Sequence, residues 1–216
     1  MKHSVEQEPS AAAQLFGDRI DLARAFAADL EKWGEELGLV GPRELERLWT
    51  RHIVNSALLG TLITGESVVD VGSGAGFPGL VLAIMRPDIH FTLVEPMERR
   101  ATWLSEETVR LGLNNVTVVR ARAQDVPPSS VFDTVTARAV SALKTLVPMT
   151  LPLVKPGGSL VFLKGEKVRE EIQAARSVLT SGAIDSVAVE EVGPEWGTEM
   201  TRVFVARTIA PAKPAL

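Results

Sequence analysis

From Gly65 onward the chain alternates between two kinds of segment. Short apolar runs (SVVDV, HFTLVE, VTVVRA, FDTVTARA, SLVFLKG) are separated by stretches of helical spacing (PGLVLAIM, ERRATWLSEETVRLG, ALKTLVPMTLPLV). That alternation is the mark of a parallel sheet with crossover helices. The turn Lys155-Pro156-Gly157-Gly158 leads into SLVFLKG, and a helix is expected from about Val168 to Ser181. The last two runs, SVAVEEV and MTRVFVAR, flank a loop holding Trp196 and Gly197, and read as a closing antiparallel hairpin. The expectation is an α/β fold of Rossmann-like type with a mostly parallel twisted sheet.

Two or three helices precede the first strand. Leu22, Phe26, Leu30 and Trp33 recur at helical spacing between Ala11 and Leu37, and Leu45, Leu48, Trp49 and Ile53 form a second stripe after Pro42. With 216 residues, 45% of them apolar, the chain can bury one core of ordinary size. The reading is a single domain: a flexible N-terminus over 1–10, a helical extension over 11–65 packed on the core, the core over 66–208, and a flexible end over 209–216.

The first strand runs into VVDVGSGAGFPG, residues 68–79. Glycines at the carboxyl end of such a strand let backbone N–H groups face a ligand at the start of the next helix. Gly74, Gly76 and Gly79, with Glu95 about twenty residues on, fit the dinucleotide pattern and leave a nicotinamide oxidoreductase open. Asp70 with Gly72, Ser73, Gly74 and Gly76 instead resembles the S-adenosylmethionine loop of class I methyltransferases. A carboxylate repels a pyrophosphate and attracts an ammonium and a sulfonium, so Asp70 favours the methyl donor. Glu95 accepts from ribose hydroxyls with either cofactor.

Composition excludes several chemistries. There is no cysteine, hence no disulfide, thiolate metal site or cysteine nucleophile. His3, His52 and His90 show no metal-ligand spacing, so no metal is expected. Without a long apolar run or a secretion signal, the chain reads as soluble and cytoplasmic, and a monomer is expected. A net charge of −4 gives no global pull toward nucleic acid, so any RNA contact needs a local basic face.

The sequence resembles the bacterial small-subunit ribosomal RNA methyltransferase G family, also called glucose-inhibited division protein B. The resemblance covers most of the chain and rests on LWTRHIVNS (48–56), VVDVGSGAGFPGLVLAI (68–84), VEPMERRATWL (94–104), RARAQ (120–124), FDTVTARAV (132–140) and LKG (163–165). It implies S-adenosylmethionine-dependent methylation of a guanine N7, guanine 527 of the 16S rRNA, in the small ribosomal subunit. By the same resemblance, cofactor contacts fall on Gly72, Phe77, Ala123, Gln124 and Arg138. Gln124 stands where the family usually has glutamate, and Asn55 where it often has aspartate.

The residues present agree with that chemistry. Guanine N7 is a lone pair without a proton, so attack on a sulfonium methyl needs no general base. Cytosine C5 methylation ordinarily needs a cysteine. FDTVTARAVSAL lacks the Pro-Pro-aromatic loop common in enzymes that methylate exocyclic amines. Sugar targets, small-molecule methylation and an RNA-binding module without chemistry remain open. Arg138, Lys164 and His52 are candidates for catalysis, and Arg51, Arg99, Arg100, Arg122, Lys164 and Lys167 for RNA contact. Trp33, Trp49 and Trp103 are expected in the core, and Trp196 in an exposed or substrate-facing loop.

Overall fold

The computed structural model describes residues 5–127 and 129–210. Expectations for residues 1–4 and 211–216, His3 among them, fall outside that range. Seven strands form one sheet in the order β3-β2-β1-β4-β5-β7-β6. β1 (Ser67–Val71) pairs in parallel with β2 (His90–Val94) on one side and β4 (Phe132–Arg138) on the other. β3 (Val116–Val119) extends the β2 edge in parallel, and β5 (Val154–Lys164) runs parallel to β4. The hairpin of β6 (Ile184–Val192) and β7 (Thr201–Thr208) closes the sheet antiparallel to β5. Connections leave β1 and β4 in opposite directions, which opens a crevice at their carboxyl ends.

Successive residues of each strand feed opposite faces. Val68, Val161, Leu163 and Val203 join the core with the N-terminal helices, whereas Val69, Leu160, Phe162 and Phe204 join a second core. The second core is closed by α6 (Leu143–Thr150), α7 (Val168–Ala174) and α8 (Arg176–Leu179). α4 (Gly79–Met85) is buried from Gly79 through Ile84. Its all-round apolar sequence follows from lying between the sheet and the N-terminal helices, with no face left for water.

Those helices are more broken than their stripes imply. α1 (Ser10–Phe16) ends at Gly17, whose φ of 51° cannot continue a helix, and α2 (Ile20–Trp33) follows a 3-10 turn. From Pro42 to Thr61 the backbone passes through a 3-10 turn (Pro42–Arg47), a π-helical turn (Leu48–Val54), the short α3 (Asn55–Ala57) and another 3-10 turn (Leu58–Thr61). The expected helix after Val168 divides at Ala175 into α7 and α8.

Three further expectations are corrected. Within the part of 1–10 that is described, the Glu6 carboxylate accepts from the Thr50 N–H at 2.9 Å and hydroxyl at 2.8 Å, and Ser10 opens α1, so residues 6 and 10 are tied to the fold. At the other end the Ile209 N–H donates to the Ala183 carbonyl, and the Ile209 carbonyl accepts from Gly157. Trp33 is 38% exposed, because the buried stripe of Ala23, Phe26, Ala27 and Leu30 continues to Gly34 and leaves Trp33 beside it; Lys32 Nζ lies 4.5 Å from its ring centroid. Trp49 and Trp103 are buried as expected, and Trp196 is half-buried against the first core.

Candidate functional site

The carboxyl ends of β1, β2 and β3 converge on the glycine loop. Gly72 and Gly74 hold φ of 72° and 58°, a conformation that costs other L-residues roughly 1–2 kcal/mol. The N–H groups of Gly72 and Ser73 donate to the Val94 carbonyl, at 2.8 and 3.2 Å, and tie the loop to β2. At the end of β2 the buried Glu95 carboxylate accepts from Gly74 N–H and from Met97 N–H, both at 2.9 Å. α5 (Glu98–Arg110) steadies the loop from outside, where Trp103 Nε1 donates to the Ala75 carbonyl. Beyond β3, Ala123 is buried and Gln124 exposed in a short turn. The structure thus brings Gly72 through Gly76, Glu95, Ala123 and Gln124 to one end of the sheet.

Asp70 is placed differently from its reading as a charge offered to a ligand. It is 0% exposed beneath the loop, and its Oδ2 accepts from Gly79 N–H at 3.0 Å, so the carboxylate pins the start of α4. Burial pushes its pKa up to about 7, against the opposing pull of that hydrogen bond. Gly79 is required there for space, since a Cβ would lie 2.4 Å from Leu93 Cδ2 and 2.6 Å from Asp70 Oδ2. The third glycine of the dinucleotide pattern therefore serves helix-to-strand packing.

Beside the loop lies a cleft of ≈ 720 Å³ at the ends of β4 and β5. Its walls include Arg138, Lys164, and from the N-terminal segment Arg47, Arg51 and Asn55. Val140 separates it from the glycine loop: a Cβ on Gly72 would come within 2.8 Å of Val140 Cγ2. Arg138 Nη2 donates to His52 Nδ1 at 3.0 Å, and His52 Nε2 meets Glu44 Oε2 at 2.6 Å. Phe77 lies under both, 5.1 Å from the His52 ring centroid and 5.7 Å from Arg138 Cζ. Burial, and then Arg138, lower the His52 pKa to about 4; burial, and then Arg51, lower that of Arg138 to about 10.

Of the candidate cations, Arg51, Arg138 and Lys164 line the cleft, whereas Arg99, Arg100, Arg122 and Lys167 do not. The Lys164 ammonium is turned inward, donating to the Ser141 carbonyl at 2.9 Å and to Glu171 Oε2 at 2.8 Å. Arg47, Glu44, Ser141 and Arg202 were not legible as site residues, because only the tertiary fold brings them here. Asn55 Oδ1 accepts from the Thr201 hydroxyl at 2.5 Å, which gives the neutral amide at that position a partner. No group of residues suited to hold a metal occurs among the described residues, nor any helix long and apolar enough to cross a membrane.

A mostly parallel seven-stranded sheet ending in an antiparallel hairpin, with a glycine loop after β1 and an acidic acceptor ending β2, defines the class I S-adenosylmethionine-dependent methyltransferases. The fold is similar to that of a SAM-dependent O-methyltransferase from Thermotoga maritima (TM-score 0.55, 15% identity, 74% of this chain and 66% of that one). It is also similar to that of a tRNA (m1A58) methyltransferase from Aquifex aeolicus (TM-score 0.56, 12% identity, 73% and 69%). The sequence profile of the rRNA small subunit methyltransferase G family matches residues 19–197, and the chain belongs to that family. Proteins named ribosomal RNA small subunit methyltransferase G from Leifsonia xyli subsp. xyli and Mycolicibacterium smegmatis are 52% and 48% identical to it. The first aligns over 95% of this chain and 99% of its own, the second over 88% and 83%.

The cofactor of this enzyme is S-adenosylmethionine, and the nicotinamide reading is set aside. The residues present fit the group. At Gly74 a Cβ would meet only the Gly72 carbonyl oxygen, at 3.8 Å, so the loop is open there beside a carboxylate whose oxygens keep lone pairs for hydroxyls, and Arg138 Nη1 is a buried donor with no partner.

Proposed function

We propose that the enzyme methylates N7 of a guanine in 16S rRNA of the small ribosomal subunit, guanine 527 on the family's pattern, in the cytoplasm. The bound cofactor supplies an electrophilic methyl group on a sulfonium. The glycine loop, Glu95, Ala123 and Gln124 hold it, with Asp70 acting beneath them by fixing the loop, and Arg138 and Phe77 flank it. Arg51 and its neighbours in the cleft meet the RNA.

The observation that carries this reading is the state of the cleft's bases. Glu171 is held by Lys164 and by the Leu143 N–H, Glu199 pairs with Arg47, and the His52 lone pair is occupied by Arg138. Glu166 stands exposed at the rim. Such a site suits a nucleophile that arrives with a free lone pair and no proton to lose, which is what guanine N7 offers. The work left to the protein is positioning and exclusion of water.

The test is incubation with labelled S-adenosylmethionine and small subunits from cells lacking the enzyme, followed by mapping of the methylated nucleotide. Label in one guanine that becomes cleavable through its N7-modified ring is the expected result. Label on an exocyclic amine, a ribose or a small molecule overturns the assignment.

A further inference from the structure

Arg138 emerges from β4 into the cleft, and its hold reaches back into the N-terminal extension. Its Cζ lies over the Phe77 ring, Nη2 donates to His52 Nδ1, and Nη1 is buried without a partner. A guanidinium only donates, so the ring nitrogen facing it must offer a lone pair. The ring proton therefore sits on Nε2, where Glu44 receives it at 2.6 Å. A histidine protonated on Nδ1, alone or on both nitrogens, would aim N–H at N–H and release Arg138. The charged groups acting on the ring are Glu44 from its own segment, Arg51 beside it and Arg138 from the sheet. Of these Glu44 favours the cation and the two arginines oppose it; burial and Arg138 prevail, and the ring stays neutral.

The local backbone serves this arrangement. Arg51 and His52 stand on the π-helical turn Leu48–Val54, a wider coil that concentrates at functional sites, and Glu44 on the 3-10 turn before it. We infer that Glu44 and His52 are positioning residues: Glu44 fixes the Nε2–H tautomer of His52, and His52 holds Arg138 so that its free Nη1 is presented to the ligand. The N-terminal extension thereby takes part in the methyltransferase site. This rests on the reading that Arg138 faces the cofactor.

Two measurements test it. In protein labelled with 15N-histidine, the His52 signal, assigned by its absence in His52→Asn, should show protonated Nε2 and bare Nδ1 from about pH 8 to about pH 5, well below the usual histidine value of about 6.5. A proton on Nδ1, or titration near the usual value, overturns the inference. In calorimetry, His52→Leu keeps the packing on Phe77 but offers no acceptor, and should weaken S-adenosylmethionine binding by about tenfold or more. His52→Asn, with an oxygen in place of Nδ1, should bind within about threefold of wild type. Wild-type affinity in His52→Leu, or His52→Asn as weak as His52→Leu, removes the acceptor role. If the leucine variant does not fold, the tautomer in the wild-type protein decides alone. If the wild-type protein itself does not bind S-adenosylmethionine, the cofactor reading fails, while the nitrogen spectrum still decides the tautomer.

Discussion

A buried carboxylate and an exposed one look alike in a sequence, and Asp70 shows what the difference does. Read as a charge at a strand tip, it selects a cationic ligand; in the fold it is an acceptor for the Gly79 N–H, and burial raises its pKa to about 7. The sign follows from linkage. With the folded value above the ordinary 3.8, the native state binds the extra proton, so the carboxyl's contribution is full below about pH 4 and is lost as pH rises toward 7. Asp70→Asn keeps an oxygen for Gly79 and cannot ionise. Relative to wild type it should therefore gain stability between pH 4 and pH 7, by on the order of 1–3 kcal/mol, in urea unfolding followed across that range. Glu107, also raised to about 7 by burial, gives the same slope in both proteins and cancels in the difference. Asp70→Ala removes the acceptor, at about 1–3 kcal/mol, and should weaken S-adenosylmethionine binding in calorimetry where Asp70→Asn largely preserves it. Equal loss of affinity in both would mean that the charge itself, and not the pinned loop, serves the cofactor.

At the scale of elements, the connection from β4 to α6 separates the glycine loop from the cleft. Ala139 sits at a φ of 53°, a left-handed conformation costly for a residue with a Cβ, and Val140 packs on Gly72. Lys164 and Glu171 hold this connection, Lys164 through the Ser141 carbonyl and Glu171 through the Leu143 N–H. Lys164→Met retains the apolar stem but frees the loop and strips Glu171 of its cation. It should cost about 1–3 kcal/mol in thermal unfolding, leave S-adenosylmethionine affinity near wild type, and cut methyl incorporation into RNA. Normal transfer in this variant would show that the loop needs no tether. Much of this site was hidden in the sequence for a physical reason. The glycine loop, the strand ends and Glu95 were legible because short continuous apolar runs and turn glycines are local signals. His52 and Arg138 are 86 residues apart, and Glu44 offers no pattern beyond an acidic residue in a helical stretch. The segment after Pro42 was legible as helical and not as 3-10 and π turns, because these preserve a roughly helical spacing of apolar residues while differing by only one residue in hydrogen-bond reach.

At the scale of the whole molecule, the extension and the sheet share one apolar cluster. Phe26 and Leu30 of α2 share a core with Val68 of β1 and Leu80 of α4, and Arg19 Nε donates to the Ile84 carbonyl at 2.6 Å. His52 meets Arg138 and Asn55 meets Thr201, so polar contacts cross the same boundary. Removing the extension would bare α4, which has no polar face to offer water. The four tryptophans divide evenly across the boundary, Trp33 and Trp49 in the extension, Trp103 and Trp196 in the core. A variant with Trp33→Phe and Trp49→Phe reports the core by fluorescence; one with Trp103→Phe and Trp196→Phe reports the extension. Because the apolar cluster is shared, each reporter variant should unfold at one midpoint by fluorescence and by circular dichroism. Phe26→Ala, placed in both backgrounds, leaves a cavity at the centre of that cluster and should cost about 3–5 kcal/mol. If extension and core are one body, the two reporters lose the same stability. If the extension is a separate unit lying on a finished methyltransferase core, only its own reporter moves, and the core signal keeps its midpoint.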